Sequence, residues 1–338
     1  MKAAFLHARE DLRIEETDLP PVEPHGLLVK VLVCGICGSD ARMFFTGPTS
    51  RYITPVILGH ELSGEIVEVG AQVEGYVPGD RVTLAPIVPC MRCPACSRGQ
   101  DNICERAQVI GCNVHGGMAE YLYVSSQMVR VGGVVKLPPG ADCRGAALTE
   151  LVGCCLHGLR QMDVEVGDRV LIVGDGPIGL IFLQLARLLG AGYVATSGRR
   201  PRRRALAAEL GADEALDASR VDLKAHFGRS VDRVIVATSN VGVVAEALEI
   251  VRPGGDVLLF SGYTYGTTLT LDVNKIHYGE LHLHGSIDCT VRDFRNAASL
   301  LPQLQLDKLI TATYSLDETV DAFRASRDRE AVKVVIEP

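Results

Sequence analysis

Four cysteines with the spacing of a metal site lie within fifteen residues of the chain. They are Cys90, Cys93, Cys96 and Cys104, and the residues between them are mostly small, polar or proline. Four thiolates this close can surround one zinc ion in a tetrahedral site with Zn–S bonds of about 2.3 Å. Their polar neighbours are not typical of cysteines in a packed core. We therefore predict a structural zinc lobe over residues 88–106.

Disulfide bonds are the alternative use of these thiols, and they require an oxidising compartment. The chain starts MKAAFLHARE, in which the apolar run is too short for a secretory signal. We therefore expect a cytoplasmic protein, in which thiols at this spacing bind metal. The cysteines without a partner at ligand spacing are expected to pack in cores, and these are Cys34, Cys112, Cys143, Cys154, Cys155 and Cys289.

A second group of ligand types predicts a metal site with an open position. Cys37 follows one apolar run, and the pair His60-Glu61 follows another. One thiolate, one imidazole and one carboxylate leave room on zinc for an oxygen of a substrate or water, as in catalytic sites. Glu150 is a further carboxylate in an apolar run, where a charge is seldom filler. The sequence thus predicts two zinc ions per chain, one structural and one catalytic.

Length and composition limit the classes of protein to which this chain can belong. At 338 residues it exceeds one usual hydrophobic core, so two domains are expected. The net charge of −7 argues against a nucleic-acid partner, whose phosphates need basic residues. Although 47% of the residues are hydrophobic, no apolar run reaches the length of about eighteen residues that a membrane span needs. We expect a soluble protein without a membrane partner.

The two halves of the chain differ in their hydrophobic pattern. Residues 1–140 alternate short apolar runs with turn signals, which predicts a β-rich domain with strands at Leu27–Val33, Glu65–Val69 and Arg81–Leu84. From about residue 165, strands alternate with helices, which predicts a doubly wound parallel sheet. Its strands are predicted at Arg169–Val173, Tyr193–Thr196, Val231–Ala237 and Asp256–Phe260, and its helices at Leu180–Leu189, Arg202–Leu210 and Ala245–Val251, with a turn at Pro253-Gly254-Gly255.

A glycine-rich loop connects the first of these strands to its helix. In Gly174-Asp175-Gly176-Pro177-Ile178-Gly179, the first glycine permits the tight turn and the second lets a pyrophosphate approach the backbone. The third glycine allows the helix to pack closely on the strand. Because the motif lies directly between a strand and a helix, it predicts a dinucleotide whose phosphates bind at the helix N-terminus.

The residues at the end of the second strand indicate which dinucleotide binds. An acidic residue at this point would accept the ribose hydroxyls of NAD, but the chain has Ser197-Gly198-Arg199-Arg200-Pro201. Guanidinium groups can grip a 2′-phosphate, so the segment favours NADP, with NAD possible. Gly198, Arg199 and Arg200 are the expected phosphate site. Arg202, Arg203 and Arg204 are expected on the solvated face of the following helix.

Taken together, these motifs resemble those of the zinc-dependent medium-chain dehydrogenase/reductase family, especially its polyol (sorbitol-type) and threonine dehydrogenase branches. The matching segments are Cys37-Gly38-Ser39-Asp40, Gly59-His60-Glu61-x-x-Gly64, the four-cysteine lobe, Glu150 ahead of His157, and the glycine loop. The resemblance implies an α/β protein with a GroES-like β-rich catalytic domain, residues 1–151 and 286–338, and a Rossmann domain, residues 152–285. The last segment of the chain would complete the catalytic domain.

The resemblance also implies roles for individual residues. Cys37 and His60 resemble direct zinc ligands, Glu61 resembles an exchangeable third ligand, and Glu150 resembles the acidic residue that holds water or ligates the metal. Ser39 resembles the hydroxyl that passes a proton between substrate and solvent. Gly198-Arg199-Arg200-Pro201 is similar to the Gly-x-Arg-Pro of NADP-dependent members. Where polyol dehydrogenases often have His and Tyr after the Ser-Asp pair, and an arginine late in the chain, this chain has Arg42, Met43 and Ile287.

The expected reaction is the NADP(H)-dependent interconversion of a secondary alcohol and a ketone, on a polyol, cyclitol or sugar-derived small molecule. Arg42 and Arg51 make a phosphorylated substrate worth testing. Candidate substrate contacts are Ser39, Arg42, Phe44, Arg51, His115 and Asp288. Two alternatives stay open, an NAD-dependent amino-alcohol dehydrogenase of the threonine type and a non-catalytic NADPH-binding protein. A homodimer or homotetramer is expected, with an edge strand near Leu281–Gly285 as a pairing surface.

Overall fold

The computed structural model describes residues 1–328 and 330–338, and the chain forms two compact units. The first unit contains Met1–Gly153 and Cys289–Pro338, and the second contains Cys154–Asp288. The chain therefore passes between the units at residues 153/154 and 288/289, rather than at the predicted 151/152 and 285/286. Among the described residues, no helix combines the length and hydrophobicity needed to cross a membrane.

The first unit is built mainly from short β-strands. Its strands before residue 150 are β1 Lys2–Ala8, β2 Asp11–Glu16, β3 Leu27–Gly35, β4 Val56–Ile57, β5 Glu61–Val69, β6 Arg81–Leu84, β7 Ile87–Val88, β8 Gln108–Val109, β9 Tyr121–Val124 and β10 Val134–Lys136. Its helices are α1 Gly38–Thr46, α2 Pro94–Ser97, α3 Ser126–Val131 and α4 Cys143–Ala146, and α5 Thr149–Met162 continues into the second unit.

The second unit alternates strands and helices. Its strands are β11 Arg169–Val173, β12 Tyr193–Gly198, β13 Glu214–Asp217, β14 Val231–Val236, β15 Val251–Leu259 and β16 His282–Gly285. Its helices are α6 Pro177–Leu188, α7 Pro201–Glu209, α8 Leu223–Phe227, α9 Gly242–Ile250 and α10 Val273–Gly279. The chain then returns to the first unit through α11 Val291–Leu300, β17 Ile310–Ser315, α12 Thr319–Asp328 and β18 Lys333–Glu337.

The sheet of the first unit incorporates the end of the chain. In its described residues, the main sheet has the order β10-β6-β5-β3-β18-β17, and β9 also pairs with β3. The last strand, β18, runs antiparallel to β3, with Val335 opposite Gly35. Phe44 of α1 stacks on Phe323 of α12 with ring centroids 4.8 Å apart, and both are buried in one core. Residues about 300 positions apart in sequence are thus held side by side.

The sheet of the second unit is parallel throughout. Within residues 154–288, all of which are described, the strand order is β13-β12-β11-β14-β15-β16. This is the order of a Rossmann sheet, which binds nucleotides outside the carboxyl ends of the strands where the order reverses. The reversal lies between β11 and β14, and the glycine loop directly follows β11. The strand β16 is an edge strand.

Buried charges in the second unit are paired with one another. Arg233 of β14 lies between two carboxylates, with 3.3 Å from Nε to an oxygen of Asp168 and 2.7 Å from Nη1 to an oxygen of Asp256. All three side chains are 9% exposed. Asp256 also contacts His284 of the edge strand at 2.6 Å. Such pairing satisfies charges that would be costly to bury alone.

The structure corrects the prediction at Pro253-Gly254-Gly255. This segment lies inside β15 and does not form a turn before it, because the strand begins at Val251. The register with β14 shifts here, since Val231 pairs with Val251 but Arg233 pairs with Asp256. Gly254 has φ +70°, the left-handed conformation that glycine adopts without strain. The glycines therefore form a bulge in a continuous strand.

Replacement of Gly179 by Ala is expected to destabilise the second unit. A Cβ on Gly179 would overlap the backbone oxygen of Gly174, which cannot move without breaking the turn. Overpacking of this kind costs about 1–3 kcal/mol in the free energy of unfolding. Urea titration should show a lower unfolding midpoint for Gly179→Ala. Gly262→Ala is the control, because no heavy atom lies within 4 Å of its Cβ position. Equal midpoints for the two variants would contradict this account.

Candidate metal centres and cofactor site

Two neighbouring strands bring the predicted catalytic ligands together. Cys37 is the N-cap of α1, two residues after β3 ends, and His60 directly precedes β5. Because β3 and β5 pair antiparallel with Gly35 opposite Glu61, the end of one strand meets the start of the other. One ligand atom from each of Cys37, His60 and Glu61 lies within 4.8 Å of those of the other two. A sulfur, a nitrogen and an oxygen donor so placed fit a zinc ion.

Glycines make room for this cluster. A Cβ on Gly35 would overlap the carboxylate of Glu61, so the close approach of Glu61 to β3 requires glycine there. Gly59 has φ +93°, and a Cβ on it would lie 2.5 Å from the sulfur of Cys34. A larger residue at position 59 would therefore strain the backbone and displace His60, which follows it.

Asp40 orients the ligands from the first turn of α1. It is 2% exposed, and its Oδ2 accepts a hydrogen bond of 3.1 Å from the backbone N–H of Cys37. Its Oδ1 lies 3.4 Å from Nδ1 of His60. A carboxylate on one ring nitrogen fixes a metal-binding histidine and leaves the other nitrogen for the ion. Asp40 lies within the Cys37-Gly38-Ser39-Asp40 motif, but no role for it was predicted from the sequence.

The electrostatic environment of His60 favours a cation. Burial alone would lower the pKa of the ring, but the negative charges of Asp40 and Cys37 outweigh burial and hold the pKa of His60 well above its ordinary value. The groups that stabilise a proton on this ring would also stabilise a metal ion in its place.

Lys333 also belongs to the site, although no motif in the sequence predicts it. Its ammonium group forms an ion pair with Glu61 and donates a hydrogen bond of 2.9 Å to the carbonyl of Ile36. Burial would lower the pKa of Lys333, but Glu61 and Cys37 raise it above its ordinary value. Its signal in the sequence was a lysine inside an apolar strand, the same kind of signal that singled out Glu150.

Glu150 and Ser39 lie outside the cluster of three ligand types. Glu150 is buried in the first turn of α5, and its charge contributes to the raised pKa of Lys333. Ser39 is partly exposed in the first turn of α1, two residues after Cys37. The structure therefore places both in the same unit as Cys37, with Glu150 close enough to Lys333 to interact electrostatically.

The candidate substrate contacts occupy different environments. Phe44 is 2% exposed and packs between Phe45 and Phe323, so its assignment as a substrate contact is wrong. Arg42 and Arg51 are exposed on α1 and the loop that follows it. Two further candidates are also exposed. His115 accepts a hydrogen bond of 3.3 Å from the backbone of Ile57, and Asp288 is the last residue of the second unit.

The four cysteines of the predicted zinc lobe form a second cluster of metal-ligand types. Their sulfur atoms lie within 4.8 Å of one another. The sulfur of Cys93 lies 3.5 Å from that of Cys96 and 3.8 Å from that of Cys104. A tetrahedron with bonds of about 2.3 Å has edges of about 3.8 Å, so this spacing fits one zinc ion. Cys90 is the fourth member, and its N–H donates to the sulfur of Cys104 at 3.3 Å.

Backbone groups of the lobe favour a thiolate. The N–H of Cys96 lowers the pKa of Cys93 to about 6, whereas burial raises the pKa of Cys96 to about 12. The pKa values of these two thiols are thus shifted in opposite directions. A cation among the sulfurs would favour the thiolate form of both, since zinc binds all four as thiolates. All cysteines of the chain are free, and among those expected in cores, Cys112 and Cys143 are partly exposed.

The glycine loop has the conformation of a phosphate site. Gly174 has φ +133°, and a Cβ on it would lie 2.6 Å from the carbonyl oxygen of Ala237. Gly176 is the N-cap of α6, and the nearest atom to its Cβ position is 4.0 Å away, on the guanidinium of Arg203. Pro177 and Ile178 begin the helix. The first turn of α6 therefore presents open N–H groups beside a positive charge, which fits a pyrophosphate.

The arginines after β12 differ in part from their predicted exposure. Arg199 is exposed, Arg200 is partly exposed, and Ser197 is buried in the strand. Arg203, expected on a solvated face, is 9% exposed. Arg204, also expected there, pairs with Asp217 at 2.9 Å, whereas Arg202 is exposed as expected. The reason is the direction of α7, whose N-terminus lies at the carboxyl end of the sheet, so that its first turn faces the glycine loop.

Both units of the chain contain residues that match the domains of a known protein family. Residues 23–139 match the alcohol dehydrogenase GroES-like domain, and residues 177–303 match the zinc-binding dehydrogenase domain. The chain is 34% identical over 332 residues to D-arabitol-phosphate dehydrogenase of Enterococcus avium, covering 95% of this chain and 92% of that one. It is 30% identical over 350 residues to sorbitol dehydrogenase of Bacillus subtilis, covering 100% and 97%.

A solved structure extends the similarity to three dimensions. A zinc-binding dehydrogenase from Sinorhizobium meliloti, solved with NADP bound, superposes with a TM-score of 0.94 at 34% identity. The alignment covers 100% of this chain and 99% of that one. The chain combines a GroES-like β-rich unit with a Rossmann unit. It therefore belongs to the zinc-dependent medium-chain dehydrogenase family, whose members include polyol dehydrogenases.

Proposed function

We propose that this protein is a zinc-dependent oxidoreductase that transfers a hydride between NADP(H) and a secondary alcohol or ketone. Its substrate is a polyol, a cyclitol or another sugar-derived molecule. The observation that carries the proposal is the convergence of Cys37, His60 and Glu61, a donor set that leaves a coordination position open. A non-catalytic NADPH-binding protein has no need of such a set.

In this proposal Cys37, His60 and Glu61 hold a catalytic zinc, and Glu150 supports it from α5. When bound, zinc would supply a Lewis acid that stabilises negative charge on the substrate oxygen. The four cysteines of the lobe hold a second, structural zinc, which gives two ions per chain. This assignment is supported by the sulfur spacing and by the lowered pKa of Cys93.

The other residues of the site prepare the ligands and move the proton. Asp40 fixes the ring of His60 through Nδ1, and Lys333 balances the charge of Glu61. Ser39, partly exposed two residues after Cys37, offers a hydroxyl that can take the substrate's proton and donate its own to water. The balance of charge by Lys333 keeps Glu61 available as an exchangeable ligand.

The second unit holds the cofactor in this proposal. The N–H groups at the start of α6, beside Gly174, Gly176 and Gly179, bind the pyrophosphate, and Arg199 and Arg200 bind the 2′-phosphate. NADP would supply the nicotinamide that accepts or returns the hydride. The choice of NADP is supported by these exposed or partly exposed guanidinium groups and by the buried Arg203 beside the loop.

The substrate class is supported by what related proteins are named for. The relatives include dehydrogenases of D-arabitol phosphate and of sorbitol, which favours polyols over the amino alcohols of the threonine-type alternative. The exposed Arg42 and Arg51 could recognise a phosphate on such a polyol. A screen of polyols, their phosphates, cyclitols and threonine with both NADP and NAD tests the proposal. Turnover of threonine with NAD alone would contradict it.

Cys37→Ser is expected to abolish turnover while the fold is retained. Loss of the catalytic zinc should reduce kcat/KM by at least about a thousandfold, because a metal Lewis acid lowers the activation barrier by several kcal/mol. Zinc content, measured by plasma mass spectrometry, should fall from two ions per chain to one, with an unchanged circular dichroism spectrum. Cys143→Ser is the control, since Cys143 belongs to neither cluster. Full activity with two zinc ions in Cys37→Ser would refute the assignment.

Cys93→Ser is expected to destabilise the protein, because structural zinc binding contributes directly to folding. The melting temperature should fall by several degrees and the zinc content by one ion per chain. Cys112→Ser is the matched control, because it removes a thiol of the same unit that lies outside the lobe. If Cys93→Ser melted at the same temperature as the wild type, the lobe would not be needed for stability.

Arg200→Ala is expected to weaken NADPH much more than NADH. A charge-assisted hydrogen bond contributes about 1.5–3 kcal/mol, so the Kd for NADPH should rise roughly 10-fold or more while that for NADH changes little. Calorimetric titration measures both constants. Arg202→Ala removes the same charge from an exposed position on α7 and serves as the control. Equal losses for both cofactors in Arg200→Ala would count against a 2′-phosphate contact.

A further inference from the structure

An acidic side chain occupies the place at the end of β12 where the sequence appeared to have none. The carboxylate of Asp175, the second residue of the glycine loop, packs directly on the Cα of Gly198, the last residue of the strand. A Cβ on Gly198 would overlap Asp175, whose atoms are the three nearest to that position. The position can therefore hold the Asp175 carboxylate or a side chain on residue 198, but not both.

The carboxylate is held in place by one hydrogen bond. Its Oδ2 accepts the backbone N–H of Arg200 at 3.1 Å. In the described part of the chain, Oδ1 has no hydrogen-bond partner. Asp175 is partly exposed. Oδ2 is thus bonded to the backbone N–H of Arg200, whereas Oδ1 can accept hydrogen bonds from a ligand.

In Rossmann units, the carboxylate that accepts the ribose hydroxyls of NAD comes from the end of the second strand, about twenty residues after the glycine loop. Here β12 is that strand, and a carboxylate lies at its end although it belongs to the loop itself. A ribose 2′-hydroxyl would be a suitable donor to Oδ1. A 2′-phosphate, with a charge of about −1.5 to −2, would be repelled.

We infer that Asp175 is a selectivity residue for the cofactor, which accepts the adenosine ribose of NAD and opposes the 2′-phosphate of NADP. The inference rests on the proposed dinucleotide binding and deepens it. Arg199, Arg200 and Arg203 attract the 2′-phosphate, and Asp175 offsets part of that attraction from within the same site. The wild-type protein therefore binds both dinucleotides, and the charge of Asp175 limits its preference for NADP.

Asp175→Asn tests this role, because it removes the charge with little change in size. The Kd values for NADH and NADPH should be measured by calorimetry, together with those for the fragments 5′-AMP and 2′,5′-ADP. The ratio of Kd for NADPH to Kd for NADH should fall by at least about tenfold, since one repulsive charge close to the phosphate is lost. The ratio of Kd for 2′,5′-ADP to Kd for 5′-AMP should fall in parallel.

Asp163→Asn is the matched control. It makes the same chemical change on an exposed residue of the same unit, and its φ of +49° suits asparagine. If Asp175→Asn changed the ratio of Kd for NADPH to Kd for NADH no more than Asp163→Asn did, the role of Asp175 would be refuted. The proposal of dinucleotide binding would not be affected. If the wild type bound neither dinucleotide, the proposed function would fail, and this inference would fail with it.

A relocation of the carboxylate gives an independent test. Asp175→Gly alone should weaken NADH, because the acid is lost. Addition of Gly198→Asp places a carboxylate on the strand end, in the space that Asp175 has vacated. Compared with Asp175→Gly, the double variant should bind NADH more tightly and NADPH more weakly, because a carboxylate is again present at the strand end. If the double variant bound NADH no better than Asp175→Gly, the place of the acid would not determine ribose recognition.

Discussion

The first unit depends on the balance of charge around Glu61. Asp40, Glu61, Glu150 and the thiol of Cys37 are brought into a largely buried region, where uncompensated negative charge is costly. Lys333 supplies one positive charge and His60 can supply a second. A divalent cation bound by Cys37 and His60 would take over the second role. The chemistry proposed for the site uses the same excess of negative charge that a protonated His60 or a bound cation would compensate.

This balance requires the return of the chain to the first unit at its end. The strand β18 pairs with β3, and that pairing carries Lys333 to the carbonyl of Ile36 and the carboxylate of Glu61. The C-terminal strand therefore contributes to the electrostatics of the site as well as to the sheet. In the second unit, opposite charges lie at the glycine loop. Arg203 lies beside Gly176, and Asp175 belongs to the loop itself.

The parts of the structure that depend on local sequence could be predicted. The strand Arg169–Val173 was predicted with its exact bounds, and the glycine loop was placed correctly between it and a helix. The grouping of Cys37 with His60 and Glu61, and of the four cysteines, was also anticipated, because the metal requires those residue types at close spacing. Their roles as ligands remain predictions.

The parts that depend on distant pairing could not be read from spacing. Lys333 reaches Glu61 only because β18 pairs with β3, and no local pattern encodes that pairing. The placement of the Asp175 carboxylate could not be predicted from spacing, because this acid belongs to the glycine loop and reaches the end of β12 only in the folded chain. Arg203 was expected on the solvated face at the start of α7, and its burial follows from where the first turn of that helix lies.

The proposed chemistry requires a metal ion bound at Cys37, His60 and Glu61. The most direct measurement is an anomalous difference map, recorded above and below the zinc absorption edge, from crystals of metal-replete protein. The proposed metal site predicts two zinc peaks per chain, one among the four cysteines and one in contact with the sulfur of Cys37 and a ring nitrogen of His60. A single peak at the cysteine lobe, with none beside Cys37, would contradict it.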